Sequence, residues 1–434
     1  MEETGKHRVV ILGAGFAGLG VMKRLKDKPV DVTVIDRQNH HLFQPLLYQV
    51  ATAGLAATNV AYPVRAISHG QIKVEMADVE DIDYESKIVH HSMGATPYDT
   101  LVVATGSKSA WIKPHWEDHS IGLKTIDDAN RIRNRVLSSF EMAEMTHDEA
   151  QREKLQTFVL VGGGPTGVEL AGSISELANH VLAKDFKNID PRKTRIILLE
   201  ALDRLLLGFD ESLSAHAKED LEQLGVEVWL ESFVEDISER GVQVKDGEFI
   251  ESATVIWTAG VEATPAADWL NVEANKKGQI KVDSFLRVKD RPGVYALGDV
   301  AENFHGGEPL PMLASVALQQ GKWLGSHLAK VAEGNKPDKP FKYQDRGIMA
   351  TIGRSRAVVE AGKIKLTGLI AWLIWMGIHL FYLVGFRNRL LAFIQWVSAY
   401  YNYSRGARVI TGEKDVPDDR PRPVDADEQE LSKV

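Results

Sequence analysis

RVVILGAGFAG occupies Arg8–Gly18, and its plan decides the fold. An apolar strand runs straight into glycines at 13, 15 and 18 and then passes into a helical pattern. TFVLVGGGPTG, Thr157–Gly167, repeats the plan with Gly162, Gly164 and Gly167. Each copy later meets a similar strand ending in Thr-Gly or Ala-Gly, DTLVVATGS at 99–107 and ATVIWTAGV at 253–261. This internal repeat predicts an α/β chain of two Rossmann-like dinucleotide-binding domains, the second inserted in the first.

The glycine spacing has a physical purpose. Gly13 allows a tight turn, Gly15 lets the backbone approach a pyrophosphate, and Gly18 lets the helix pack closely on the sheet. The helix N-terminus then offers unpaired N–H groups to phosphate. Asp36, 18 residues beyond Gly18, ends the next strand, VTVID, where a carboxylate accepts both ribose hydroxyls. In the second copy the acid is Glu200, ending TRIILLE more than 30 residues past the glycines, which implies a longer crossover helix through Gly172 to Asp185. An acid at that strand end favours NADH over NADPH, although Arg204 nearby works against the preference. Two such units mean either two dinucleotides or one ligand and a decayed copy. GVYALGDVA, 293–301, puts Asp299 at a strand end just before a helix, where a carboxylate facing a ligand hydroxyl competes with an ordinary helix cap.

Composition narrows the chemistry. With 434 residues, 44% of them hydrophobic, the chain can build two or three cores. A net charge of -9, with no Lys/Arg run in the first 360 residues, argues against nucleic acid as a partner. Cysteine is absent, which excludes disulfides, thiolate metal sites and redox cysteine pairs. The 14 histidines lack metal-ligand spacing: His40–His41 and His90–His91 are adjacent pairs whose side chains point apart on a strand, so no metal is expected. MEETGKHRVVILGAG enters a strand within about ten residues, so no secretory or organellar presequence is expected.

Along the chain, Ile126–Arg152 reads as a polar linking helix, and a helical stretch runs from Met312 to about Ala332. Pro337 and Pro340 mark a connector, and the sequence from Tyr343 reads as a strand and hairpin. The expected division is 1–125 with 285–340, 126–284, a C-terminal amphipathic helical region at 341–412, and a disordered acidic tail at 413–434.

GAGFAG, VVATGS, GGGPTGVE and YALGDVA together resemble the two-dinucleotide flavoprotein superfamily over about residues 8–330. The resemblance implies FAD on the first unit, held by Gly13, Gly15, Gly18, Asp36, Thr105, Gly106 and Asp299, with Asp299 at the ribityl chain. It implies NADH on the second, held by Gly162, Gly164, Gly167 and Glu200. Without cysteines, disulfide reductases and sulfide:quinone oxidoreductases are excluded. Ferredoxin and rubredoxin reductases, apoptosis-inducing-factor-like proteins and type II NADH:quinone oxidoreductases remain.

NHHLFQPLLYQVATAGL, Asn39–Leu55, is similar to the last of these, and PMLASVALQQG, Pro311–Gly321, resembles its quinone-site helix. Gln319 and Gln320 match that pattern, while Ser315 stands where a glutamine is expected. The resemblance makes Gln44, Ser315, Gln319, Gln320 and His379 quinone-contacting candidates. Glu169 becomes a carboxylate near nicotinamide and flavin, catalytic together with Gln319; helix-dipole stabilisation is its alternative. The implied activity is hydride transfer from NADH to FAD and then reduction of a membrane quinone.

LTGLIAWLIWMGIHLFYLVGF, Leu366–Phe386, would make a helix of roughly 30 Å, about a bilayer's hydrocarbon core. It reads as a spanning helix, a core helix or an interfacial anchor. Arg387, Arg389, Arg405 and Arg408 beside aromatic residues favour an anchor on anionic headgroups. Trp372, Trp375, His379 and Phe386 are expected near the bilayer contact. Similarity to the monotopic helices of type II NADH dehydrogenases implies a peripheral protein, expected on the cytoplasmic face of a bacterial membrane, and so large an apolar surface is also expected to join two subunits as a homodimer.

Overall fold

A computed structural model describes residues 5–68, 72–335, 339–402 and 405–411; the acidic tail at 413–434 and Pro337 of the connector lie outside them. The chain forms two compact units. One gathers the chain up to Leu42 with Ala61–Ala110 and Val261–Arg346; the other gathers Phe43–Val60, Trp111–Gly260 and the chain from Gly347 on.

The first unit is built on a five-stranded parallel sheet in the order Val294–Ala296, Thr100–Val103, His7–Leu12, Val30–Asp36, Lys73–Met76. Val9 to Leu12 are buried without alternation because both faces of a parallel sheet are covered. The helix Phe16–Leu25 makes the first crossover and packs against the helix Ala314–Ala332 through glycines. A Cβ on Gly321 would strike the Ala17 carbonyl, and one on Gly20 the backbone at Gly321 and Lys322.

The second unit holds a four-stranded parallel sheet in the order Val226–Trp229, Arg195–Leu199, Thr157–Val161, Thr254–Trp257. The long crossover exists in a more irregular form than expected. The helix Pro165–Glu176 continues as one π-turn, Leu177–Val181, and a short 3-10 turn, Leu182–Lys184. The linking helix breaks into Ile126–Met145 and Glu149–Leu155, because Thr146 adopts an extended conformation and Asp148 caps the second piece by accepting from Ala150 N. A three-stranded antiparallel sheet, Ile348–Gly353, Arg356–Ala361 and Ile364–Thr367, packs on Pro165–Glu176. The approach is so close that a Cβ on Gly172 would meet the Ile352 carbonyl.

The apolar run divides into Gly368–Tyr382 and the start of Phe386–Asn402, separated at Gly385 with φ +89°. Its first helix has 15 residues, about 22 Å of rise. Among the described residues no helix is long and apolar enough to cross a membrane. Ala371, Trp375 and His379 recur every four residues as a buried stripe, whereas Leu369, Ile370, Leu373, Ile378 and Phe381 are exposed. Trp375 and His379, expected at a bilayer contact, therefore face the protein. Arg405 and Arg408, expected to meet headgroups, are paired instead with Glu176 and Asp185.

Candidate functional site

Both glycine loops build the same cradle. Gly13 has φ +96° and Gly162 φ +111°, left-handed conformations that suit glycine; a Cβ on either would meet the backbone at Ala104 or Ala259. Gly15 and Gly164 cap the helices Phe16–Leu25 and Pro165–Glu176 without a side-chain bond, and the space where a Cβ would stand is open at both. A Cβ on Gly18 or Gly167 would meet the carbonyl of Gly13 or Gly162.

The acids repeat as well. Asp36 accepts from Ala14 N at 2.6 Å and Gln38 N at 2.7 Å; Glu200 accepts from Gly163 N at 2.6 Å and Leu202 N at 2.9 Å. Each carboxylate thus braces its own glycine loop and keeps a second lone pair on each oxygen for ribose hydroxyls. Burial raises the Asp36 pKa above the usual carboxylate range, against the lowering effect of its two backbone N–H partners. Arg204 lies 3.3 Å from the carboxylate of Glu211.

Asp299 does not immediately precede a helix. It sits in the one-turn 3-10 segment Gly298–Val300, which leads into an extended stretch, and it accepts from Ser107 Oγ at 2.6 Å. The helix-cap alternative therefore falls. Thr105 Oγ1 bonds Thr264 Oγ1 at 2.5 Å, and Gly106 has φ +74°.

Four buried polar atoms in this unit have no hydrogen-bond partner among the described residues, Tyr98 OH, Arg291 Nε, Gln320 Nε2 and His41 Nε2, and the last two belong to side chains that touch the glycine loop or Gly298. Gln320 accepts from Gly298 N at 2.7 Å, and His41 donates from Nδ1 to the Ala14 carbonyl at 2.9 Å. Burial lowers the His41 pKa to about 4, so the ring is neutral. Side chains that bond the glycine loop and Gly298 through one polar atom and leave the other unpartnered, together with an open helix N-terminus, fit a dinucleotide such as FAD. His41 was invisible as a site residue in the sequence, where it is one of an adjacent pair.

The remaining candidates separate. Ser315, Gln319 and Gln320 share the helix Ala314–Ala332. Ser315 Oγ bonds Tyr343 OH at 3.2 Å, and the Gln319 amide is occupied by the backbone of Gln344 at 2.9 and 3.0 Å. Gln44 and His379 belong to the second unit. Gln44 is exposed and donates to the Lys124 carbonyl at 3.3 Å; the next residue back, Phe43, meets the His379 ring at 6.1 Å. His379 donates to the Trp375 carbonyl at 2.7 Å and stacks on the Trp375 indole at 4.3 Å, and burial lowers its pKa to about 4.

The second unit also contains a pocket of about 110 Å³ with an aromatic wall of Tyr48, Trp372, Trp375, Trp396 and Tyr400. Its polar end carries Glu169, Glu176 and Arg405. Gln49 bridges the wall, accepting from Trp396 Nε1 at 2.7 Å and donating to Tyr48 OH at 2.8 Å. Glu169 lies deep in the unit with part of its surface open to the pocket. Burial pushes its pKa well above the usual range, and one long bond from Thr351 N at 3.5 Å offsets that only slightly. A neutral carboxyl against an aromatic wall can both donate a hydrogen bond and hold a proton. Sequence reasoning found Glu169 but missed the wall, in which Tyr48 joins four aromatic residues of the C-terminal helices more than 300 residues away.

Residues 7–321 match the family described as pyridine nucleotide-disulphide oxidoreductase, although this chain has no cysteine to form such a disulphide. Type II NADH:quinone oxidoreductase Ndh of Mycobacterium tuberculosis is 40% identical over 94% of this chain and 91% of that protein. NdhA of the same organism is 39% identical over 94% and 90%. NDH2 from Plasmodium falciparum, solved in complex with NADH, shares the fold with a TM-score of 0.84 at 21% identity, covering 94% of this chain and 100% of that one. Within the pyridine nucleotide-disulphide oxidoreductases, the chain belongs to the type II NADH:quinone oxidoreductases.

Proposed function

We propose that this chain is a flavoenzyme that oxidises NADH and reduces a membrane quinone without pumping protons. The observation that carries the proposal is the aromatic pocket lined by the carboxyl of Glu169, whose burial favours the protonated form. Bound FAD supplies the two-electron relay between nicotinamide and quinone. The chain's own residues bind, orient and hold protons.

In this reading residues 1–125 and 285–340 hold FAD through Gly13, Gly15, Gly18, Asp36, Thr105, Gly106 and Asp299. Residues 126–284 hold NADH through Gly162, Gly164, Gly167 and Glu200. Glu169 holds the proton destined for quinone. Gln44, Ser315, Gln319, Gln320 and His379 are proposed quinone contacts; Gln320 brings a donor with no protein partner among the described residues, while Gln319, the second catalytic candidate, must first release Gln344. Glu200 repels a 2′-phosphate, and the Arg204–Glu211 pair supports that preference by engaging the neighbouring cation. Glu200→Gln is accordingly expected to raise kcat/KM for NADPH relative to NADH about tenfold. An unchanged ratio would place the discrimination elsewhere.

The exposed apolar face of Gly368–Tyr382 and Phe386–Asn402 supports docking of region 341–412 on a bilayer surface, at the cytoplasmic face of a bacterial membrane, with the same surface available to a second copy. Because Trp375 and Trp396 line the pocket, point changes test this better than truncation. Ile370→Glu with Ile394→Glu is expected to weaken co-sedimentation with anionic vesicles at least about tenfold, each carboxylate costing about 2 kcal/mol in an apolar layer. Wild-type sedimentation would reject docking through this face. The activity is tested by anaerobic reduction of the flavin with NADH against NADPH, then reoxidation with a panel of quinones. Rapid reduction by NADH and reoxidation by a quinone are expected; a reduced flavin that no quinone reoxidises would overturn the proposal.

A further inference from the structure

Arg405, just past the helix Phe386–Asn402, turns its guanidinium into the floor of the pocket. Nη1 donates to the Thr52 carbonyl at 2.8 Å, the Ser173 carbonyl at 3.0 Å and Ser173 Oγ at 3.3 Å; Nη2 donates to Glu176 Oε2 at 3.2 Å. The other carboxylate oxygen of Glu176 accepts from the backbone N–H of Arg354. The side chains of Arg405 and Glu176 are only 10% and 15% exposed. Glu169, Ser173 and Glu176 stand at i, i+4 and i+7 on one face of the helix Pro165–Glu176.

Glu169 and Glu176 lie two turns apart on that face, about 10 Å along the axis. Taking the guanidinium away leaves the Glu176 charge without its cation in a low-dielectric place, where it opposes negative charge on Glu169. The other groups facing this pair do not replace the cation. Tyr48, from the helix Leu47–Ala51, is buried and holds its proton more tightly than usual, with burial the main cause. The Arg354 guanidinium lies over the Tyr400 ring at 4.2 Å. On the helix Glu211–Gln223, Asp220 is engaged by Arg356 at 2.9 Å and by His216 at 3.4 Å.

We propose that Arg405 is a positioning residue for the proton chemistry of this pocket: its guanidinium holds the Glu176 side chain against Thr52 and Ser173 and offsets its charge, so that Glu169 meets no uncompensated negative charge on its own helix face. The inference rests on the role proposed above for Glu169. It also reassigns a C-terminal arginine from the membrane surface to the pocket floor.

The test compares the pH dependence of quinone reoxidation of the NADH-reduced holoenzyme in wild type, Glu169→Gln, Arg405→Met, Arg405→Lys and Arg405→Met with Glu176→Gln. Flavin content and thermal unfolding verify that each protein is folded. Arg405→Met is expected to move the alkaline limb upward by about one pH unit. Arg405→Lys, which keeps the charge, and the double variant, which removes both charges, are expected to return it toward the wild-type position. A purely structural strap predicts the same impairment in Arg405→Met and the double variant with no movement of the limb, and that result overturns the inference. If Glu169→Gln keeps the limb, the role of Glu169 fails and the inference fails with it. If Glu169→Gln loses the limb while Arg405→Met leaves it in place, only the inference falls.

Discussion

Glu169→Gln is expected to lower the rate of quinone reoxidation about a hundredfold, the lower end of what a positioned proton donor contributes. The amide preserves the size of the side chain and can still hydrogen-bond in the pocket, but it has no acidic proton to give. The sign of the pH dependence follows from burial: the Glu169 carboxyl holds its proton well above the usual range, so the rate should be sustained to higher pH than an ordinary carboxyl allows and fall on the alkaline side as the proton is lost. The variant should lose that alkaline limb along with the rate. Stopped-flow reoxidation across pH measures both, and a variant with wild-type rate and limb would remove Glu169 from the chemistry.

Acidification from pH 6.5 to pH 4 is expected to destabilise the holoenzyme through two buried histidines, by about 3 kcal/mol each. His41 and His379 have pKa values lowered by burial from 6.5 to about 4. The unfolded chain binds a proton at each below pH 6.5, whereas the folded chain does not until about pH 4. Their contribution to stability is therefore intact above pH 6.5 and lost as pH falls to 4. Glu169 works in the opposite direction, since its raised pKa favours the folded state while the carboxyl is neutral and loses that advantage as pH rises. Comparison with a variant isolates the histidine: His379→Asn can still donate to the Trp375 carbonyl but does not titrate. Denaturant unfolding at pH 7 and pH 4.5 should show a smaller acid loss in the variant, and equal losses would detach the acid sensitivity from His379.

The nucleotide units were legible because their information is local. A strand, three glycines, a helix start and an acid lie within a few dozen residues, although the hydrogen bonds from the glycine loops to Asp36 and Glu200 were not foreseen in the repeat. The pocket was legible only at Glu169. Leu366–Phe386 is apolar on every side, so its sequence has no polar face to mark which stripe turns inward, and Trp375 and His379 could not be separated from Ile370 and Phe381. Arg405 was misread for a related reason: a basic residue after an aromatic helix has the pattern of a membrane flank, and its partners Thr52, Ser173 and Glu176 lie 353, 232 and 229 residues away. Asp299 was found by its motif, but the 3-10 turn that holds it depends on Gly298 at φ +76° and on Gln320, not on a following helix.

The bonds that close the pocket join Gln49 to Trp396 and Thr52 to Arg405, 347 and 353 residues apart. A ribosome adding 5–20 residues per second needs roughly 20 to 70 s to make the chain between Thr52 and Arg405. The first glycine loop is synthesised before that interval begins and the second well inside it, whereas Tyr48, Thr52 and their neighbours must wait for partners that arrive almost at the end of translation. The nascent protein can thus complete its nucleotide cradles before it owns a pocket, and the stretch around Leu47–Ala51 needs shielding from other chains until the C-terminal helices emerge to cover it.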